Sequence, residues 1–216
     1  MKISVIITAA GYGKRMGKPK QFLPILGRPL LEWTVSVFKK IKEINQIILV
    51  VNKEDIKSAE NLGVEVVEGG KERQDSVKNG LDRVAEDTDL VLIHDGARPL
   101  ITREIILKAI KECEKHGAVI VGVPVKDTIK KVQAEDIILE TIDRTSLWAA
   151  QTPQVFKYAI IKRAYDNIKG IATDDSKLVE DLGYKVKMIL GSYENLKITT
   201  PEDLILAEAM LRQRHD

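Results

Sequence analysis

Short runs of β-branched residues alternate along this chain with longer stretches of helical periodicity, and that alternation constrains the fold more than any other feature. Residues 3–8 (ISVIIT), 46–52 (QIILVVN), 64–67 (VEVV), 89–94 (DLVLIH) and 118–125 (AVIVGVPV) read as strands. Most are continuously apolar, the pattern of strands covered on both faces. Residues 29–41 read as a helix with Leu30, Trp33 or Thr34, Val37 and Ile41 on one face and Pro29 in its first turn. Residues 75–85 begin at Asp75, a residue suited to N-capping, and 102–117 carry a Thr102 cap and a closing Gly117. Helices near 157–168 and 175–182, a strand at 185–190 and a last helix from Pro201 complete the pattern. The expected fold is α/β, a doubly wound, mostly parallel sheet.

Residues 126–147 interrupt the alternation. Two strand-like runs flank a polar QAED, which reads as a hairpin protruding from a single domain spanning residues 1–216. A net charge of only +2 argues against a nucleic-acid binder with a wholly basic surface, so any positive field must be local. No apolar run reaches membrane length, and a soluble cytoplasmic protein is expected, with neither nucleic acid nor membrane as partner. Cys113 is the only cysteine, expected half-buried on a helix; an internal disulfide is impossible.

The stretch TAAGYGKRMGKPKQF, residues 8–22, leaves the first strand at its carboxyl end, where ligands sit in such sheets. It fails the dinucleotide fingerprint, because Met16 stands where the third glycine belongs, and it lacks the spacing and hydroxyl of a kinase-type phosphate loop. What remains is physical. Ala9, Ala10, Gly11 and Gly13 are small enough for backbone N–H groups to approach an anion. Lys14, Arg15, Lys18 and Lys20 supply more positive charge than a dinucleotide needs, a density suited to a triphosphate. Arg15 and Lys20 are the leading candidates; Lys14 and Lys18 can equally face water. Asp95 ends the fourth strand, where one carboxylate can hold Mg²⁺ beside a triphosphate. Arg98 either holds a phosphate or fixes the loop, Arg73 reads as a loop brace, and His94 reads as structural.

The loop, with EGGKERQDSV (68–77), VLIHDGARPLI (91–101), PVKDTIKKV (124–132), TIDRTSLWAAQTPQVF (141–156), TDDSKLVE (173–180) and NLKITTPEDLILAE (195–208), resembles the 2-C-methyl-D-erythritol 4-phosphate cytidylyltransferase family over essentially the whole chain. The resemblance implies a Rossmann-like nucleotidyltransferase fold. It also implies Mg²⁺-dependent transfer of CMP from CTP to 2-C-methyl-D-erythritol 4-phosphate in the non-mevalonate isoprenoid pathway. Attack by an ionised phosphate oxygen needs positioning and charge stabilisation rather than an acid–base triad. Arg15, Lys20, Arg144 and Lys197 are then the expected catalytic residues. Ala9, Ala10, Gly11, Gly13, Gly69, Gly70, Asp95 and Gly96 face the nucleotide. Ser76 contacts it or only caps a helix. Arg98, Thr128, Arg144, Thr152, Thr173 and Lys197 face the polyol phosphate, with Lys197 on a short strand beside a helix capped by Thr200. The resemblance makes 126–147 a dimerisation arm that completes the partner's site with Thr128 and Arg144. Two departures stand out: Thr8 and Gly96 occupy positions where Pro and Ala are common. A sister enzyme using ribitol 5-phosphate is the alternative.

Overall fold

The computed structural model describes residues 1–11 and 20–215. In chain order the elements are Ile3–Thr8 (β1), Pro24–Ile25 (β2), Arg28–Pro29 (β3), Leu30–Lys39 (α1), Gln46–Val51 (β4), Ile56–Glu60 (α2), Glu65–Glu68 (β5) and Arg73–Leu81 (α3). Then come Leu90–Asp95 (β6), Arg103–His116 (α4), Ala118–Pro124 (β7), Ile129–Val132 (β8), Ile138–Ile142 (β9), Trp148–Lys157 (β10), Tyr158–Asp166 (α5), Asp175–Asp181 (α6), Lys187–Leu190 (β11) and Pro201–His215 (α7). The main sheet has seven strands in the order β11-β7-β10-β6-β1-β4-β5. Every pairing in it is parallel except the two made by β10, which runs antiparallel between β6 and β7. The α/β, mostly parallel reading therefore holds.

The alternation of side chains along each strand sorts the core onto both faces of the sheet. Ile3, Val5 and Ile7 join a cluster with Phe38 of α1 and Ile106 of α4. Ile6 joins a second cluster with Val77 of α3, Ile161 of α5 and Val179 of α6. A third cluster seats Ala207 and Leu211 of α7 against Ile25 and Trp33. The buried stripe of α1 differs from expectation: Phe38 is fully buried and Val37 only half-buried, because Leu31, Val35 and Phe38 face the sheet.

Two helix starts illustrate local chemistry. Thr102 caps α4, its hydroxyl oxygen accepting from Ile105 N–H, and Gly117 ends that helix in the left-handed region at φ 79°. Helix α3 starts three residues earlier than expected, its cap being Glu72 rather than Asp75; Asp75 is an interior first-turn residue whose carboxylate accepts from Glu72 N–H at 2.9 Å. Cys113 is fully buried rather than half-buried; its thiol donates to Val155 O, and burial pushes its pKa up to about 12.

β10 is the element that the sequence conceals. Pro153 sits inside it, and proline argues against a central strand. The register shifts between Ala150 and Gln154, so the proline occupies an irregularity where no ladder hydrogen bond is required of it. Because β10 runs opposite to its neighbours, its early residues lie at the same sheet edge as the carboxyl ends of β1 and β6. The hairpin β8–β9 forms a separate two-stranded sheet within 126–147, as expected. No helix among the described residues is long and apolar enough to cross a membrane.

Candidate active site

The carboxyl ends of β1 and β6 deliver Thr8 and Asp95 side by side, since the two strands pair in parallel with these residues in register. Asp95 is almost fully buried and surrounded by cations. Its Oδ2 lies 3.1 Å from Lys197 Nζ and 3.2 Å from Arg98 Nε, and its Oδ1 lies 3.5 Å from Arg73 Nε. Burial works against a charge here, but Lys197, Arg73 and Arg98 outweigh it and hold the carboxyl well below the usual carboxylate range. Asp95 is thus an ionised group at any physiological pH.

Asp95 is also fixed through its backbone. Its N–H donates to Thr152 Oγ1 at 3.0 Å, and that hydroxyl lies 3.0 Å from His94 Nδ1. His94 Nε2 faces the Arg98 carbonyl at 3.3 Å. A carbonyl only accepts, so Nε2 carries the hydrogen and Nδ1 accepts from Thr152. Complete burial pushes the imidazole pKa down to about 3, so the ring is neutral. His94 is structural, as expected: it orients Thr152, and Thr152 orients Asp95.

Two cavities meet at this carboxylate. One, of about 470 Å³, is lined by Ala10, Gly11, Lys20, Gly70 and Ser76. The other, of about 290 Å³, is lined by Arg98, Gln151, Thr152, Thr173 and Asp174. Arg73, Asp95 and Lys197 line both. A charged wall shared by two cavities is the arrangement needed to bring two anionic molecules together at one point.

A sequence model of the 2-C-methyl-D-erythritol 4-phosphate cytidylyltransferase family matches residues 3–213. The chain belongs to that family. A protein of that name from Alkaliphilus metalliredigens is 49% identical, covering 100% of this chain and 95% of its own. One from Caldanaerobacter subterraneus is 46% identical, covering 99% and 100%. Among solved structures, the 4-diphosphocytidyl-2C-methyl-D-erythritol synthase of Anaerococcus prevotii superposes with a TM-score of 0.87 at 37% identity, covering 97% of this chain and 96% of its own. The cytidylyltransferase of Thermus thermophilus gives 0.84 at 34%, covering 98% and 100%.

The structure distributes the family's expected site residues unevenly. Ala10, Gly11, Lys20, Gly70, Ser76, Asp95 and Lys197 line the larger cavity. Ala9 does so as well, but its N–H donates to Val50 O at 2.7 Å, whereas the N–H groups of Ala10 and Gly11 have no partner among the described residues. Gly13 and Arg15, with Lys14 and Lys18, lie outside the described residues. Gly69 and Gly96 sit behind the cavity surface. The Gly96 N–H donates to Thr8 O, and a Cβ there would meet Leu31 Cδ1 at 2.9 Å.

The glycines at 69–70 have a packing reason. A Cβ on Gly69 would lie 2.3 Å from the Ala10 Cβ, and one on Gly70 would lie 2.2 Å from the Asp75 Cβ. Their N–H groups donate to Val51 O and Ser76 Oγ, so what they can still offer a base is carbonyl oxygen. Ser76 does not cap α3; it is buried, accepts from Gly70 N–H and donates to Glu72 O, tying the 69–70 turn to the helix.

Lys197 lies on an irregular segment rather than a strand, held by Ile198 N–H donating to Ala97 O. Thr200 does cap the following helix: its Oγ1 accepts from Asp203 N–H, while the Asp203 carboxylate accepts from Thr199 and Thr200 N–H. Arg98 fixes the loop: its guanidinium joins Asp95 to the Asn195 carbonyl. Thr128 and Arg144 are exposed on the hairpin segment and line neither cavity. Arg144 donates to the Lys126 carbonyl at the hairpin's base. Sequence reasoning passed over Gln21, whose buried amide donates to both Ala9 O and Gly11 O at 2.5 Å and so holds the start of the glycine loop. Its only signal was its place in the PKQF end of that loop.

Proposed function

We propose that this protein transfers CMP from CTP to 2-C-methyl-D-erythritol 4-phosphate, releasing pyrophosphate. The observation that carries this reading is the Asp95–Lys197–Arg73 wall common to both cavities, set in a member of the cytidylyltransferase family. The larger cavity takes CTP. Its Ala10 and Gly11 N–H groups and Lys20 face the triphosphate, and the Gly70 carbonyl suits the exocyclic amine of cytosine, a donor. The smaller cavity takes the polyol phosphate beside Thr152 and Thr173. One phosphate oxygen then attacks the α-phosphorus as the bond to the β-phosphate oxygen breaks. Lys197 bridges the two spaces and meets the charge that builds at the α-phosphate. The attacking oxygen is already ionised, so no general base is required.

No group of three or more His, Cys, Asp or Glu among the described residues could hold a metal by itself. Asp95 is an ionised carboxylate that lines both cavities, but its oxygens already face Lys197, Arg98 and Arg73, so Mg²⁺ held there would displace one of these cations and take most of its oxygens from phosphates and water. Bound there, Mg²⁺ would supply charge neutralisation for the triphosphate.

We also propose a cytoplasmic homodimer built on the 126–147 arm. Val132, Ile137, Ile138 and Leu139 are each more than half exposed, apolar side chains on the arm that suit burial against a second copy. In that dimer Thr128 and Arg144 complete the partner's acceptor cavity, a reading supported by their absence from both cavities of their own chain.

Pyrophosphate release measured with each of four nucleoside triphosphates and with both 2-C-methyl-D-erythritol 4-phosphate and ribitol 5-phosphate tests the reading. CTP with the methylerythritol phosphate should be the preferred pair. Preference for ribitol 5-phosphate would overturn the acceptor assignment.

A further inference from the structure

We propose that Asp175, oriented by Tyr165, is a positioning residue for the transfer: it fixes the Arg73 guanidinium at the wall between the two cavities and, through it, the Asp95 carboxylate. This inference rests on the reaction given under Proposed function.

Three helices converge to build the relay. Arg73 opens α3, Asp175 opens α6 and Tyr165 lies near the end of α5. Arg73 Nη1 and Nη2 donate to the two Asp175 oxygens at 3.0 and 2.8 Å. Tyr165 Oη donates to Asp175 Oδ1 at 2.6 Å. With both η nitrogens engaged, the plane of the guanidinium is set, and its Nε edge is left toward Asp95 Oδ1 at 3.5 Å.

Asp175 has 0% exposure and lines neither cavity, so its carboxylate reaches the wall through Arg73, while its chain neighbours Thr173 and Asp174 line the smaller cavity. Arg73 is partly exposed and lines both. A buried ion pair of this kind is poor at stabilising a fold compared with apolar packing, because both charges must leave water. What it does well is hold one geometry, since a bidentate fork fixes orientation as well as distance. Released from Asp175, Arg73 could turn its η nitrogens onto Asp95 and compete with Lys197 for that carboxylate. The wall would then carry the same residues in the wrong places.

The test measures kcat and KM for CTP and for 2-C-methyl-D-erythritol 4-phosphate in the wild type, Asp175→Asn, Tyr165→Phe, Arg73→Ala and the Arg73→Ala/Asp175→Asn double variant. Folded fraction comes from circular dichroism. Asp175→Asn should lower kcat roughly 10- to 100-fold, the scale of a small misplacement at a reacting centre, with the KM for CTP within about 3-fold of wild type. Tyr165→Phe should move kcat the same way by roughly 3- to 10-fold, since it removes one hydrogen bond. The double variant should be no slower than Arg73→Ala alone.

A melting temperature lowered with kcat per folded enzyme unchanged would mean that Asp175 only stabilises the fold, and the inference fails. Multiplying losses in the double variant would also overturn it. Should Asp175→Asn not fold, Tyr165→Phe, which keeps the ring and removes only the hydroxyl, decides on its own. A wild-type protein that releases no pyrophosphate from CTP overturns the proposed reaction and this inference with it. An active wild type with unaffected variants overturns this inference alone.

Discussion

The Asp95 wall and the 126–147 arm are built in opposite ways. Asp95 is buried, hydrogen-bonded through its backbone to Thr152 and paired with Lys197, Arg98 and Arg73. Its supports come from β6, α3, β10 and the segment before α7, so segments far apart in sequence converge on it. The arm is a two-stranded hairpin whose side chains are mostly exposed and whose base is held by few contacts: Val125 N–H to Leu147 O, Arg144 to Lys126 O, Tyr193 Oη to Pro124 O, and Lys126 Nζ over the Tyr193 ring. An isolated hairpin of that kind is marginal in water. The wall is thus preorganised by the core of its own chain, whereas the arm has little of its own chain to order it, and under the proposed dimer a second copy would do so.

That contrast can be broken most sharply on the wall. Lys197→Ala should reduce kcat by about 10²- to 10³-fold, the usual loss for a group that meets developing charge, with an unchanged circular dichroism spectrum. A near-wild-type rate would remove Lys197 from the chemistry. Gly69→Ala should cost about 1–3 kcal/mol of stability in urea unfolding, because its Cβ would press on Ala10 with little room to yield. The KM for CTP should rise with it, since the same contact positions the glycine loop. On the arm the order of effects reverses. Leu139→Asp should leave the thermal stability of the monomer within about 0.5 kcal/mol, as an exposed site should, yet shift sedimentation from dimer to monomer. Smallest of all, Lys131→Ala removes an exposed pair with Glu140 and should change stability by well under about 1 kcal/mol. A large loss there would show that the hairpin is stabilised within its own chain.

The same contrast explains what could be read from the sequence. β1, α4 and the arm were legible because hydrophobic period, a Thr102 cap, a Gly117 stop and a break in alternation are all local signals. β10 was not, because Pro153 gives a local signal against a strand that only tertiary pairing overrides. The start of α3 was misplaced because aspartate suits both the cap and the third helical position, and Asp75 takes the second with Glu72 as cap. In the site, the residue types at Asp95 and Lys197 were readable as charges in motifs. That Arg73 joins them, and that Asp175 and Tyr165 hold Arg73, depends on three helices meeting across about a hundred residues of sequence. No spacing rule encodes that.

The proposed division of the site between one chain's wall and another's arm has one direct measurement. Lys197→Ala and Arg144→Ala chains, each carrying a different affinity tag, are mixed, and the doubly tagged dimer is purified. If the arm works in the partner's site, one of the two sites in that mixed dimer pairs an intact wall with an intact arm. Activity should then return to about half the wild-type value, while each homodimer stays inactive. A stable mixed dimer as inactive as its parents would place Arg144 and Lys197 in the same chain's site and contradict the division.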